Sequence, residues 1–547
     1  MKKRNLALVF GSLSLCAFAL IPGSKETLKA VADELPITDK VTLYVMNMED
    51  YIYSEETDGD TPAFCKEFIA WAEANTKFKN IDVVYDTTDT NETLLTQLQT
   101  GKVHYDLICP SDYMIQKMAR EDLIQKLDKR DTLLPNYDEY ASKYIRNRLD
   151  EIPCTDGNGN AATVGEYAVG YMWGTLGILF NPDYKGYDYD ELMAAMQYWH
   201  VLYDKSYSGT ISIKDSMRDT YAAVLMEVYK EDLLEKRSEW ENDELSDEDY
   251  HQAIQTIFDK VDDETIKEVG KSLETLKGNI YGLEVDSGKS DIVQGRIGIN
   301  LAWSGDAIYS MELGEENDVS LLYSIPLNGS NIWFDAWVMP KSASRSSEQE
   351  ELAYLFLDYL STPENAVKNV ESTGYTSFIG GQEMLDLMRS WYDDRYDEEG
   401  NLLPDVDTSE LTAVDLNYFF NPNYSSDTSF TPSDEYIFYT EEYLVDFTYE
   451  DEEGNEIDNE AVGGAFFCQY PDEKTITRCA VMKDYGNQNA KVLKMWEKFK
   501  SSDLPVWAIV LFVIEIVLLL GLALFLIINK KLKYRLRVKR KNQISKN

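Results

Sequence analysis

Three histidines are available for acid–base chemistry, His104, His200 and His251, and they lie far apart with no partner acid at a telling spacing. The chain has no Gly-x-Ser-x-Gly elbow, no phosphate-cradling glycine loop and no His-Glu-x-x-His helix. Serine-nucleophile, phosphoryl-transfer and zinc-hydrolase chemistry each lack their minimum residue set, so no enzyme is expected. Carboxylates are abundant, 97 Asp and Glu against 52 Lys and Arg, and paired acids in such a chain carry no information about glycosidase chemistry. Asp156-x-Asn158-x-Asn160 opens like a calcium loop. Its sixth position is Ala161 and its twelfth Tyr167, where Gly and Glu are required, so it reads as a turn. Cys65, Cys109, Cys154, Cys468 and Cys479 are odd in number and none has metal-ligand spacing; Cys468 and Cys479 are the one candidate pair. No cofactor or metal is expected.

Charge points to partners instead. The formal net charge is −45, and 38 of the bases and 94 of the acids fall within 33–500, a net of −56 there. Such a surface repels nucleic acid and favours cationic solutes. The same acids would also serve merely to keep an exported protein soluble.

The elements that must position a site alternate. Segments 41–47, 81–86 and 105–110 read as strands, with helices over 61–77, 93–100 and 111–120 between and after them. This βαβαβα series argues an α/β sheet with helices on both faces. A hairpin is expected around 156–159, and a second α/β block over about 171–330, with strands 174–180 and 297–303 and helices 217–229 and 265–279. Strand 334–339, helix 348–360 and a further helix from Pro363 follow. The Tyr-, Asp- and Glu-rich stretch 385–465 reads as an insertion. Its repeated turns, Asp397-Glu-Glu-Gly-Asn401 and Asp451-Glu-Glu-Gly-Asn455, read as hairpin tips. An amphipathic helix over 488–500 closes the block.

Both ends speak to the compartment. Residues 1–32 have a basic start and an apolar run over 6–21, the build of a secretory signal or signal-anchor; Cys16 follows a Leu, a poor lipidation site. Residues 504–528 form 25 almost wholly apolar positions, enough for a membrane span, and eight Lys and Arg follow within 530–541. Basic flanks stay in the cytoplasm, so the acidic middle is expected outside a cell membrane, with 529–547 as a cytoplasmic tail.

Several blocks together resemble one family. YDLICPSDYMIQKM (105–118) followed by LIQKLD (123–128) resembles a strand–helix of the spermidine/putrescine-binding proteins of ABC importers, as does VTLYVMNMEDYI (41–52). AVGYMWGTLGILFN (168–181), KDSMRDTY (214–221), INLAWSG (299–305), IWFDAWVMP (332–340) and TPENAVKNVESTGY (362–375) match in order and spacing. The resemblance implies a two-lobed, periplasmic-binding-protein-like (type II) α/β fold, to which the sequence adds one C-terminal transmembrane helix. Lobe 1 would comprise 33–168 and 331–480, lobe 2 would comprise 169–330, and 481–503 would return to lobe 2 and link to the membrane. Hinges fall near 168–171, 330–335 and 477–484. The expected partners are a polyamine, and ABC permease subunits with their ATPase; the ectodomain is expected to be monomeric.

The resemblance places Asp50, Tyr51, Ser111, Tyr113, Asp335 and Tyr375 in the wall of lobe 1, Asp219 and Trp303 in that of lobe 2, and Trp333 at the crossover. A polyamine needs carboxylates for its ammonium groups and flat rings along its methylenes, and aromatic faces serve both ends of that demand. Each residue also has a plainer reading: a capping contact with Ser216 for Asp219, core packing for the tryptophans, surface aromatics for Tyr51 and Tyr113, and a structural ion pair for Asp335. The chain departs from the family at Met48, where an aromatic is usual, and at Ser216, where an acid is usual and Asp215 adjoins. It departs again near Met482, where a glutamine is expected. The rivals are the same fold with another organic cation or small solute, a membrane-anchored sensor ectodomain, and a surface hydrolase; only about 19 residues after the span argue against the sensor.

Overall fold

The computed structural model describes residues 35–501 except 56–58, 60, 102–103, 342–343, 405, 427–428 and 451–455. The expected signal, span and tail lie outside the described residues, as does the second hairpin tip. Among the described residues no helix is long and apolar enough to cross a membrane.

The spine is one mixed sheet. Its strands are β1 (Val41–Met48), β2 (Ile81–Thr88), β3 (Leu107–Ile108), β4 (Ala168–Phe180), β5 (Ile211–Lys214), β6 (Ile280–Glu284), β7 (Ile299–Trp303) and β8 (Ser330–Pro340). They lie in the order β2-β1-β3-β8-β4-β7-β5-β6. β1 pairs in parallel with β2 and β3, and β5 in parallel with β6 and β7, each set making the α/β core of one lobe. The two long strands tie the lobes. β4 is buried along all 13 residues; its first half pairs with β8 and its second with β7. β8 in turn starts against a short strand at Cys479–Ala480, the third crossing. β4 passes from β8 to β7 at Thr175–Leu176, a few residues beyond the hinge expected at 168–171, while the other two crossings lie within 330–335 and 477–484.

A β-bulge in the β4–β8 ladder sets up the cleft. Asp335 lies opposite Met172 and Ala336 opposite Gly170, so Tyr171 is the extra residue. A bulge bends its strand and re-aims side chains. Here the Tyr171 carbonyl accepts from Phe378 N at 3.0 Å, and its hydroxyl donates to the Tyr51 carbonyl at 2.7 Å.

Several expectations shift. Cys468 and Cys479 are both free and buried; each thiol donates to a backbone carbonyl, of Ser304 and Thr475 respectively, rather than to a disulfide. The 156–160 segment is the predicted tight turn, with Asp156 Oδ1 accepting from the amides of Asn158 and Asn160, both at 2.8 Å. The acidic insertion begins inside a helix, Gln382–Tyr392, and is not a satellite of lobe 1 alone. Its aromatics pack on Trp173 of β4 through Phe419, and its end, Val462–Gly463, pairs with Leu322–Ser324 beside β4. The apolar rings of this stretch need burial, and the sheet supplies it.

Candidate functional site

Three helices start at the ends of sheet strands and bring the candidate residues together: α1 (Asp112–Arg120), α2 (Met217–Val228) and α3 (Ser304–Glu316). They follow β3, β5 and β7, so the residues at their starts gather off the carboxyl ends of these strands, where open α/β sheets bind ligands.

The lobe 1 wall centres on Asp335. Tyr51 Oη donates to its Oδ2 at 2.8 Å. Ser111 bridges to the same residue and gives it a side-chain hydrogen bond, and is itself held by Asn91 Nδ2 at 2.9 Å. The Tyr51 ring meets Tyr375 edge-on at 4.9 Å, and Tyr375 meets Trp333 at 5.7 Å. The lobe 2 wall centres on Asp219: Trp303 Nε1 donates to its Oδ1 at 3.0 Å, and Ser216 Oγ donates to its Oδ2. Ser216 also caps α2 by accepting from Asp219 N, so the capping reading holds and the outward oxygen is still engaged by the indole.

Electrostatics link the two walls. Burial pushes the Asp335 carboxyl up to about 6, against the hydrogen bonds from Ser111 and Tyr51, and the charge of Asp219 raises it further. The carboxylate of one lobe thus feels the charge of the other. Among the described residues neither is paired with a lysine or arginine, which removes the structural ion-pair reading of Asp335. Two carboxylates with no basic partner among the described residues, set beside Tyr51, Tyr375, Trp333 and Trp303, have the chemistry a cation requires: carboxylates attract charge and rings shield methylenes.

Residues 66–381 match the bacterial extracellular solute-binding proteins, well over half of this chain. The chain belongs to that family.

A member of this family binds solutes and is no enzyme. The putrescine-binding periplasmic protein SpuD of Pseudomonas aeruginosa is 29% identical over 345 residues, covering 61% of this chain and 77% of the relative. The spermidine/putrescine-binding periplasmic protein of Escherichia coli is 24% identical over 349 residues, covering 63% and 80%. The fold matches the spermidine/putrescine ABC transporter substrate-binding protein PotD of Streptococcus pneumoniae with a TM-score of 0.50 at 21% identity, over 84% of this chain and 98% of that one.

Not every candidate joins the contacts around Asp335 and Asp219. Met48 ends β1 half-buried, its amide bonded to Asn47 Oδ1, and no described contact of its side chain reaches Asp335. Asp50 is exposed on the following turn at φ 50°, outside the Tyr51–Asp335 contact. Asp215 extends the β5–β6 pairing by donating its amide to the Glu284 carbonyl at 2.7 Å. Tyr113 is engaged by a residue of the protein itself: the Arg218 guanidinium lies 4.1 Å from its ring centroid and 4.2 Å from that of Tyr485.

Other polar residues of the cleft were not singled out from sequence. Asp112, buried at the start of α1, accepts from Phe334 N at 3.0 Å; burial holds its carboxyl well above the usual range. Lys214 is fully buried at the end of β5, ion-paired to Asp306 at 2.8 Å and Glu284 at 2.9 Å, with its ammonium 4.4 Å from the Trp303 ring centroid. Burial opposes its charge, but the two carboxylates outweigh that and hold it protonated. Lys214 and Arg218 both stand in the KDSMRDTY block, where attention to its acids hides its cations.

Proposed function

We propose that this protein is the extracytoplasmic receptor of an ABC importer and captures polyamines of the putrescine–spermidine class between its lobes. The observation that carries the reading is the pair Asp335 and Asp219, one from each lobe, each hydrogen-bonded to an aromatic side chain and neither paired with a lysine or arginine among the described residues. The names of the relatives point the same way. Closure about hinges near 168–171, 330–335 and 477–484 would bring lobe 1 (33–168 and 331–480) onto lobe 2 (169–330) around the ligand. The closed, monomeric ectodomain would then dock on permease subunits driven by their ATPase. The apolar 504–528 segment with its basic flank would anchor the receptor in the cell membrane, raising its concentration near the permease without new contacts. The direct check is a thermal-shift series on the full chain. Putrescine or spermidine at about 1 mM raises the Tm if the reading is right, since a ligand at ~100 times Kd adds ~2.7 kcal/mol. No shift with any polyamine refutes it. Extraction of membranes at alkaline pH tests the anchor: release of the full chain into the supernatant refutes it.

A further inference from the structure

Asp306 looks like a third ligand carboxylate. It is buried on α3 beside Trp303, and its Oδ1 accepts from Tyr375 Oη at 2.8 Å, on the ring that also meets Tyr51 and Trp333. Its other oxygen is taken by Lys214, and Lys289 lies 4.0 Å away. Glu284, the second partner of Lys214, is buried as well. Lys289 is itself paired with Asp286 at 2.5 Å, so Lys214 is the close cation of both Asp306 and Glu284. Lys214 also does to the indole what a ligand ammonium would do, lying over its face. On the Tyr113 side of the cleft Arg218 plays a parallel part. It fills the space between Tyr113 and Tyr485, is held by the Lys483 carbonyl at 2.9 Å, and has no carboxylate partner among the described residues.

We infer that Lys214 is a resident cation that sets the charge of the ligand: by occupying Asp306, Glu284 and one face of Trp303 it takes these acids out of reach of ammonium groups and, with Asp112 buried against Phe334 N, leaves Asp219 and Asp335 for them, and so selects diamines over triamines. This deepens the proposed function and rests on it. The carboxylates left free balance two positive charges. A third ammonium extending toward Tyr375 meets Lys214, and one extending toward Tyr113 meets Arg218. Like charges brought together in a desolvated cleft disfavour the longer ligand, which is how an interface rejects a near neighbour.

The test is calorimetry of the full chain with putrescine and spermidine, and needs no variant for its first arm. The wild-type chain binds the diamine at least about tenfold more tightly than the triamine, a ratio well clear of measurement scatter. Lys214→Met frees Asp306 and Glu284, and moves that ratio at least about tenfold toward spermidine. Because this variant leaves two buried acids unpaired, a second one carries the comparison if it does not fold. Lys214→Met combined with Glu284→Gln and Asp306→Asn removes the like-charge clash without opening an acid, and moves the ratio toward spermidine by less than Lys214→Met does. Equal or tighter wild-type binding of spermidine, or a ratio unmoved in the variants that fold, overturns the inference and leaves the polyamine reading intact. Binding of neither amine overturns both.

Discussion

Acidification should loosen the capture of an organic cation by about tenfold between about pH 7.5 and pH 5, and Asp335 sets that number. Its carboxyl in the ligand-free cleft is raised to about 6, chiefly by burial and then by the charge of Asp219. At about pH 7.5 it is almost wholly ionised, and at pH 5 roughly one molecule in ten is. A bound ammonium within ~4–6 Å favours the charged carboxylate and pulls its pKa back down, so binding is coupled to loss of a proton below about pH 6. Affinity is therefore highest above that value and falls about tenfold for each further pH unit well below it. The ligand-free fold responds in the opposite sense. A carboxyl raised in the folded chain favours the neutral acid, so its contribution to stability is present below about pH 4 and is lost as pH rises through about 6. Calorimetry with putrescine at several pH values, each in two buffers of different ionisation enthalpy, reads both the affinity and the proton release. Asp335→Asn should bind weakly and show a profile flattened across this window. A wild-type affinity unchanged from pH 7.5 to pH 5, with no proton release, would refute the assignment of Asp335 as the anchoring carboxylate.

Removing the anchor charge with Asp335→Asn should cost about 2–5 kcal/mol of binding, because the ammonium stays buried without its partner; at about pH 7.5 the ligand-free Tm should hold or rise, since a buried charge that opposes folding there is removed and no ion pair of the fold is lost, and a large fall with unchanged affinity would speak for a structural role. Trp303→Phe keeps a ring but loses the indole N–H that reaches Asp219 at 3.0 Å, a charge-assisted bond worth about 1.5–3 kcal/mol, and calorimetry should register a loss of that order. Gly174→Ala puts a methyl 2.2 Å from Ser304 Oγ and 2.5 Å from the Trp333 ring, at the strand crossing; urea unfolding should show about 1–3 kcal/mol lost, and an unchanged midpoint would show that the crossing is loosely packed.

The alternation of short apolar runs and amphipathic stretches made most of the fold legible. Strand 41–47 and helix 348–360 were placed within a residue or two because each has one buried face and one wet one. β4 was read as starting at 174 although it starts at Ala168, since a strand buried on both faces loses the alternation that marks a beginning. The contacts that join Tyr51 to Asp335 and Trp303 to Asp219 link residues the family blocks single out: Tyr51 lies just past β1, Asp335 lies at the bulge of β8, and Trp303 ends β7. The site was less legible at Asp50, whose left-handed turn carries it into solvent, and that conformation has no signature in an isolated Glu-Asp pair. Lys214 and Arg218 show the other limit. A lysine in an acidic chain looks like a surface charge until the fold closes Glu284 and Asp306 around it, partners 70 and 92 residues away in sequence.

The central claim is that the Asp335 and Asp219 carboxylates of the two lobes hold a polyamine, and titration of the full chain by calorimetry against putrescine, spermidine, spermine and choline tests it most directly. The account predicts saturable binding of at least one of the three polyamines at micromolar Kd, about −8 kcal/mol, and much weaker binding of choline, whose single charge engages one carboxylate of two. Choline binding more tightly than all three polyamines, or no heat from any polyamine at millimolar concentration, would contradict it.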